Sequence, residues 1–153
     1  MKKKILLGLL GGLVVLTASG CDNGKTFTIT CEGKKTDLEG IQINNKTVYN
    51  FNNDQIVTDY KVTSVSTYDT DEKYKQYKEK FLVEANKGTA NVEYSMKVND
   101  SARTINFEYK VKVPAATKNN TDDYYKATKV LERAEKELNA KCTIKGIEKD
   151  KLK

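Results

Sequence analysis

Two stretches of strict alternation constrain this chain more than any other feature. Ala90, Val92, Tyr94, Met96 and Val98 alternate with Asn91, Glu93, Ser95 and Lys97. Ile105, Phe107, Tyr109, Val111 and Val113 alternate in the same way with Thr104, Asn106, Glu108, Lys110 and Lys112. Successive side chains of a strand point to opposite sides, so each stretch has one apolar and one polar side, a period that no helix satisfies. Asn99-Asp100 between them predicts a hairpin. Putting both apolar rows on one side requires partners whose numbers sum to an odd value, for example Tyr94 with Phe107 and Met96 with Ile105. The polar side is then left to water, as antiparallel sheets allow.

The residues before this hairpin read as further strands. Thr26 to Glu32 alternates threonine with Phe27 and Ile29 and is expected to end at Gly33. From Gly40 a second segment puts Ile41, Ile43, Thr47, Tyr49 and Phe51 on one side, and Asn52-Asn53-Asp54 supplies a turn. Ile56 to Thr67, rich in Val, Thr and Tyr, returns antiparallel. Near the other end Cys142-Thr143-Ile144-Lys145 is one more short strand.

Two segments carry a helical period instead. Asp69-Thr70-Asp71-Glu72 opens the first, with Asp69 placed to cap it and Glu72 to reach back. Tyr74, Tyr77, Phe81, Leu82 and Ala85 form its apolar stripe up to Gly88, while Asp71/Lys75, Lys75/Glu79 and Lys80/Glu84 balance its wet face. After Pro114 and a polar connection, Thr121 is expected to cap a second helix with a Tyr124, Ala127, Leu131, Ala134 and Leu138 stripe. A sheet with one apolar side and two helices with one apolar stripe each predict a two-layer α+β domain, in which an antiparallel sheet of five or six strands carries both helices on one face.

The start of the chain reads as an address rather than as part of that domain. Lys2, Lys3 and Lys4 precede an uncharged, apolar and glycine-rich stretch from Ile5 to Leu16, the pattern of an export signal. It is shorter than the roughly 20 apolar residues that span a bilayer. Thr17-Ala18-Ser19-Gly20-Cys21 resembles the lipobox of bacterial lipoproteins, which implies cleavage before Cys21 and attachment of a diacylglyceryl group to its sulfur. Two acyl chains anchor stably where one does not. Asp22 to Lys25 would then be a tether of roughly 14 Å, holding the domain beside the lipid headgroups on the extracytoplasmic face of the membrane. The organisation expected is a signal peptide over 1–20, a lipidated tether over 21–25, one domain over 26–147 and a frayed tail over 148–153. Taking the first 20 residues from 153 leaves 133, near the usual size of a single domain.

With Cys21 acylated, Cys31 and Cys142 remain as an even pair in an oxidising compartment, which predicts a disulfide. It would close a loop spanning most of the mature domain, and the chain-entropy model credits so long a loop with about 4 to 5 kcal/mol. Two separate buried thiols are the alternative.

The same residues narrow the chemistry. The chain has no histidine, so histidine triads and histidine-bound metals are excluded, and the cysteines lack metal-site spacing. No cofactor is expected. Glycines cluster only in the leader, at Gly8, Gly11 and Gly12, where they cradle no phosphate in the mature chain. Glu93 and Glu108 fall on the wet side of the hairpin, where nothing builds a dry pocket for acid–base work. Tyr74-Lys75-Gln76-Tyr77-Lys78 reads as tyrosines to the core and lysines to water. The formal charge of +6 drops to +3 without Lys2, Lys3 and Lys4, too mild and too interspersed with acids for a nucleic-acid binder. Lys97, Lys110 and Lys112 on the polar side of the hairpin are the candidate binding residues, for an anionic envelope polymer or a partner protein. The sequence is thus that of a non-enzymatic binding module of the envelope; the alternative is an envelope enzyme or enzyme inhibitor whose site has no linear motif.

The order of lipobox, strands, Tyr- and Lys-rich helix, hairpin and helix resembles the YehR-like family of small bacterial lipoproteins. The resemblance implies the same fold and address, and it assigns no site residue.

Overall fold

The computed structural model describes residues 26–86, 89–114 and 123–153. The leader, Cys21 and the tether lie outside them, as do Gly88 and Thr121, the expected stop of the first helix and cap of the second. The described chain forms six strands: β1 (Phe27–Thr36), β2 (Gln42–Phe51), β3 (Val57–Thr67), β4 (Val92–Asn99), β5 (Thr104–Lys112) and β6 (Lys141–Lys145). They make one sheet in the order β4-β5-β3-β2-β1-β6 with every neighbouring pair antiparallel. Helix α1 (Asp71–Ala85) joins β3 to β4, and helix α2 (Ala127–Glu132) precedes β6. The fold is α+β.

Register sorts the side chains. Ile29 stands between Tyr49 and Ile144, Tyr49 faces Tyr60, Tyr60 faces Val111 and Val111 faces Val92, so this row on one side of the sheet is apolar from edge to edge. Phe27, Ile29, Cys31, Phe51 and Val57 form a buried cluster with Val113 and with Ala127, Val130, Leu131 and Ala134. Ile41, Tyr68, Tyr74 and Ile105 form a second, flanked by Ile43, Tyr77, Phe81 and Met96. Phe27 and Phe51, directly opposed in β1 and β2, stack with ring centroids 4.7 Å apart.

Several expectations need correcting. The hairpin keeps its odd sum but is shifted by two: Tyr94 faces Tyr109, Met96 faces Phe107 and Val98 faces Ile105. The cause is the turn, which is not Asn99-Asp100 alone but four residues, Asp100 to Arg103. In it Asn99 Oδ1 accepts from the Ala102 N–H (3.1 Å) and Arg103 takes a positive φ of 49°. β1 does not stop at Gly33; pairing with β2 continues to Thr36, and Gly33 lies against Ala140, 3.6 Å from where its own Cβ would be. The cap of α1 is Thr70, whose hydroxyl accepts from the Lys73 N–H, while Asp69 forms an ion pair with Lys73 at 3.1 Å. With Thr70 as cap, Lys73 occupies the third helical position, so Glu72 cannot close a capping box.

The second helix is the largest departure. Asp123–Tyr125 is a separate 3₁₀ turn, and Lys126 is extended and bridges to Ile56. Only then does α2 begin, continuing as a π-helical turn, Arg133–Glu137, in which the Leu138 N–H donates five residues back to Arg133. The added turn swings Leu138 off the stripe, leaving it 68% exposed, and the break at Lys126 leaves Tyr124 53% exposed. Arg133 stacks on the Tyr124 ring at 3.6 Å.

Residues 148–153 are not frayed. Lys149–Lys151 is a 3₁₀ turn, Leu152 packs against the first cluster, and the Gln55 side chain donates to the Lys151 carbonyl (2.9 Å) and accepts from the Lys153 N–H (2.6 Å). Burial of Leu152 and saturation of both ends of a buried amide outweigh the charge of the segment.

Candidate binding surface

The disulfide is formed. Cys31 and Cys142 are directly opposed in β1 and β6, with Cα atoms 4.1 Å apart, and the bond links positions 111 residues apart. It fastens the edge strand β6 to the rest of the sheet from the apolar side, where Cys31 is buried.

The other side of the sheet is where charge collects. Following the register across one row gives Thr143, Thr30, Val48, Lys61, Lys110 and Glu93; every second residue from these along each strand shares their side. The three candidate lysines fall here: Lys110 lies between Lys61 and Glu93, Lys112 faces Asp59 and Lys97 faces Asn106. All three are exposed. They are joined by five that sequence reading missed, namely Lys34, Lys46 and Lys61 on β1, β2 and β3, and Lys141 and Lys145 on β6. Against these eight lysines stand four carboxylates, Glu32, Asp59, Glu93 and Glu108. The excess of four positive charges is larger than the +3 carried by residues 21–153 taken together, so one side of one sheet accounts for all of the net charge of that part of the chain. The sequence signal was present in Lys34, Lys46 and Lys61, but only cross-strand pairing puts them beside Lys110.

The carboxylates serve as partners here. Lys61 bonds Glu108 at 2.7 Å and, with help from the Thr63 hydroxyl, holds its carboxyl below the usual glutamate range. Lys46 does the same to Glu32 at 2.8 Å. A carboxyl held ionised in this way is a poor proton donor at neutral pH. Glu93 faces Lys110, so Glu93 and Glu108 are each directly opposite another residue, and Glu108 is committed to Lys61. Among the described residues no group of three His, Cys, Asp or Glu side chains is placed to hold a metal ion, and no helix is long and apolar enough to cross a membrane.

The tyrosine–lysine string of α1 resolves as its spacing implies. Tyr74 is buried and donates its hydroxyl to Asp100 at 2.6 Å, Tyr77 packs against Tyr68 and Phe81, and Lys78 reaches Asp100 at 2.7 Å. Compared with protein-family models, with curated proteins and with solved structures, the chain matches none.

Proposed function

We propose that this chain is the precursor of a lipid-anchored envelope protein whose open sheet face binds an anionic envelope polymer. The observation that carries the binding role is the lysine excess on that face. Ammonium groups in rows at strand spacing attract a flexible polyanion without needing a pocket, and threonine and asparagine between them add hydrogen bonds. The address rests on Lys2 to Lys4, the apolar stretch after them and the small residues before Cys21. The Cys31–Cys142 bond is consistent with residence in an oxidising compartment. In this reading the domain has two layers, with both helices on the apolar side. Ile29 packs with Ala127 and Val130, Ile105 packs with Tyr74, and register puts Ile29 and Ile105 on one side, which supports that arrangement. Kinship with the YehR-like lipoproteins belongs to the same proposal and is supported by element order.

Growth of expressing cells with labelled palmitate tests the address. Label should enter the protein, and Cys21→Ser should abolish both labelling and membrane fractionation; an unlabelled protein, or unchanged fractionation of the variant, removes the anchor from the proposal.

A further inference from the structure

The two edges of the sheet are built differently. β6 is five residues long, begins and ends with lysine and is clasped by the disulfide, features that discourage pairing with another strand. β4 is eight residues long, without proline or bulge, and Val98 on it is 39% exposed. The Lys112 N–H donates to the Asn91 carbonyl (2.9 Å), which makes that opposed pair a hydrogen-bonded one. Bonding and non-bonding pairs alternate in an antiparallel ladder, so the backbone groups of Tyr94, Met96 and Val98 point away from β5. Among the described residues no backbone group pairs with them; the Thr89 carbonyl meets the Val92 N–H at 3.1 Å and closes the open stretch at that end.

We infer that β4 pairs antiparallel with β4 of a second copy of this chain, centred on Ser95. In that register Tyr94 faces Met96 of the second copy, where the outward backbone groups meet each other, and Val92 faces Val98, so the apolar side continues across the junction. Glu93 falls opposite Lys97 of the second copy, twice, in the non-bonded positions where side chains approach most closely. The neighbouring registers are worse. Centring on Glu93 or on Lys97 opposes like charges, and centring on Tyr94 or on Met96 leaves both charges without an opposite one. The strand is self-complementary in charge at one register only, as a two-fold interface requires. The two sheets then join into one of twelve strands with both lysine faces on the same side. That last consequence extends the polyanion surface and rests on the proposed function, whereas the pairing itself does not.

Sedimentation equilibrium of the full chain in a mild detergent tests the pairing with two charge reversals, Glu93→Lys and Lys97→Glu. Wild-type protein should be dimeric. Each reversal should weaken self-association at least about tenfold, since two attractive pairs become two repulsive ones. An equimolar mixture of the two variants should recover the dimer, because each lysine of one then faces a glutamate of the other; this recovery rules out misfolding as the cause of the loss. A monomeric wild type overturns the inference, as does association that neither reversal weakens, which would place the contact in the leader or elsewhere. Failure of palmitate labelling would leave this result untouched, and failure of the charge pattern would leave the anchor untouched.

Discussion

Gln55 holds the backbone of Lys153. Its side-chain oxygen accepts from that N–H at 2.6 Å and its nitrogen donates to the Lys151 carbonyl at 2.9 Å, so one amide spans two residues of the last segment as a neighbouring strand would. Its own carbonyl accepts from the Ala127 N–H, and the residue takes a left-handed φ of 61° to do both. The β2–β3 turn, the start of α2 and the last residues are therefore tied together by one buried residue, through its main chain to Ala127 and through its side chain to Lys151 and Lys153.

Gln55→Leu should strand the bonds to Lys151 and Lys153 and lower stability by about 1 to 3 kcal/mol. Amide hydrogen exchange reports the local effect: the Lys153 amide should lose protection before the strands do. Unchanged exchange there would mean that Leu152 packing alone retains the segment.

Replacing Cys31 and Cys142 together by alanine should cost about 2 to 4 kcal/mol in urea unfolding. Wild-type protein in excess dithiol should fall to the same midpoint as the variant. If reductant leaves the midpoint where it was, the bond contributes no stability.

Tyr60 gives a pH signature. Burial, reinforced by the nearby Tyr109, pushes its hydroxyl from 10.0 up to about 12. The folded state thus keeps a proton that the unfolded state releases first. The associated stability is complete below pH about 10 and declines as pH rises through about 12. Unfolding curves at pH about 9 and about 11 should differ less for Tyr60→Phe than for wild type, and an equal difference would argue against this tyrosine as the source.

Lys110→Glu with Lys112→Glu should weaken binding of inorganic polyphosphate about tenfold and flatten its dependence on salt, because two attractive charges become repulsive on one face. Both residues are exposed, so stability should move by no more than about 0.5 kcal/mol. Retained affinity in calorimetric titration would remove this part of the face from the binding surface.

How much was legible beforehand differs from element to element. The hairpin of β4 and β5 was clear because its alternation is unbroken, and even the parity of its register followed. The shift by two did not, since Asn99 and Arg103 settle the turn through a side-chain hydrogen bond and a positive φ that sequence spacing does not encode. Helix α1 was as plain in its extent, but its cap is Thr70 instead of Asp69, and Leu82, expected on the apolar stripe, is exposed. For α2 the apolar spacing held from Ala127 to Ala134 and failed outside it, because Lys126 is drawn into a bridge with Ile56 and a π turn adds a residue after Glu132.

By itself the sequence determined where the strands and the two helical segments lie, the division of β4 and β5 into an apolar and a polar side, and the lack of histidine. These are properties of residue type and local period, which need no partner. Tertiary structure alone decided that β5 lies beside β3 and that β6 lies beside β1. That put Cys31 opposite Cys142, gathered eight lysines from all six strands on one face, and folded the charged last residues onto Gln55. Each of these depends on register between segments far apart in the chain, where pairing energy is shared among many residues and no single one announces its partner.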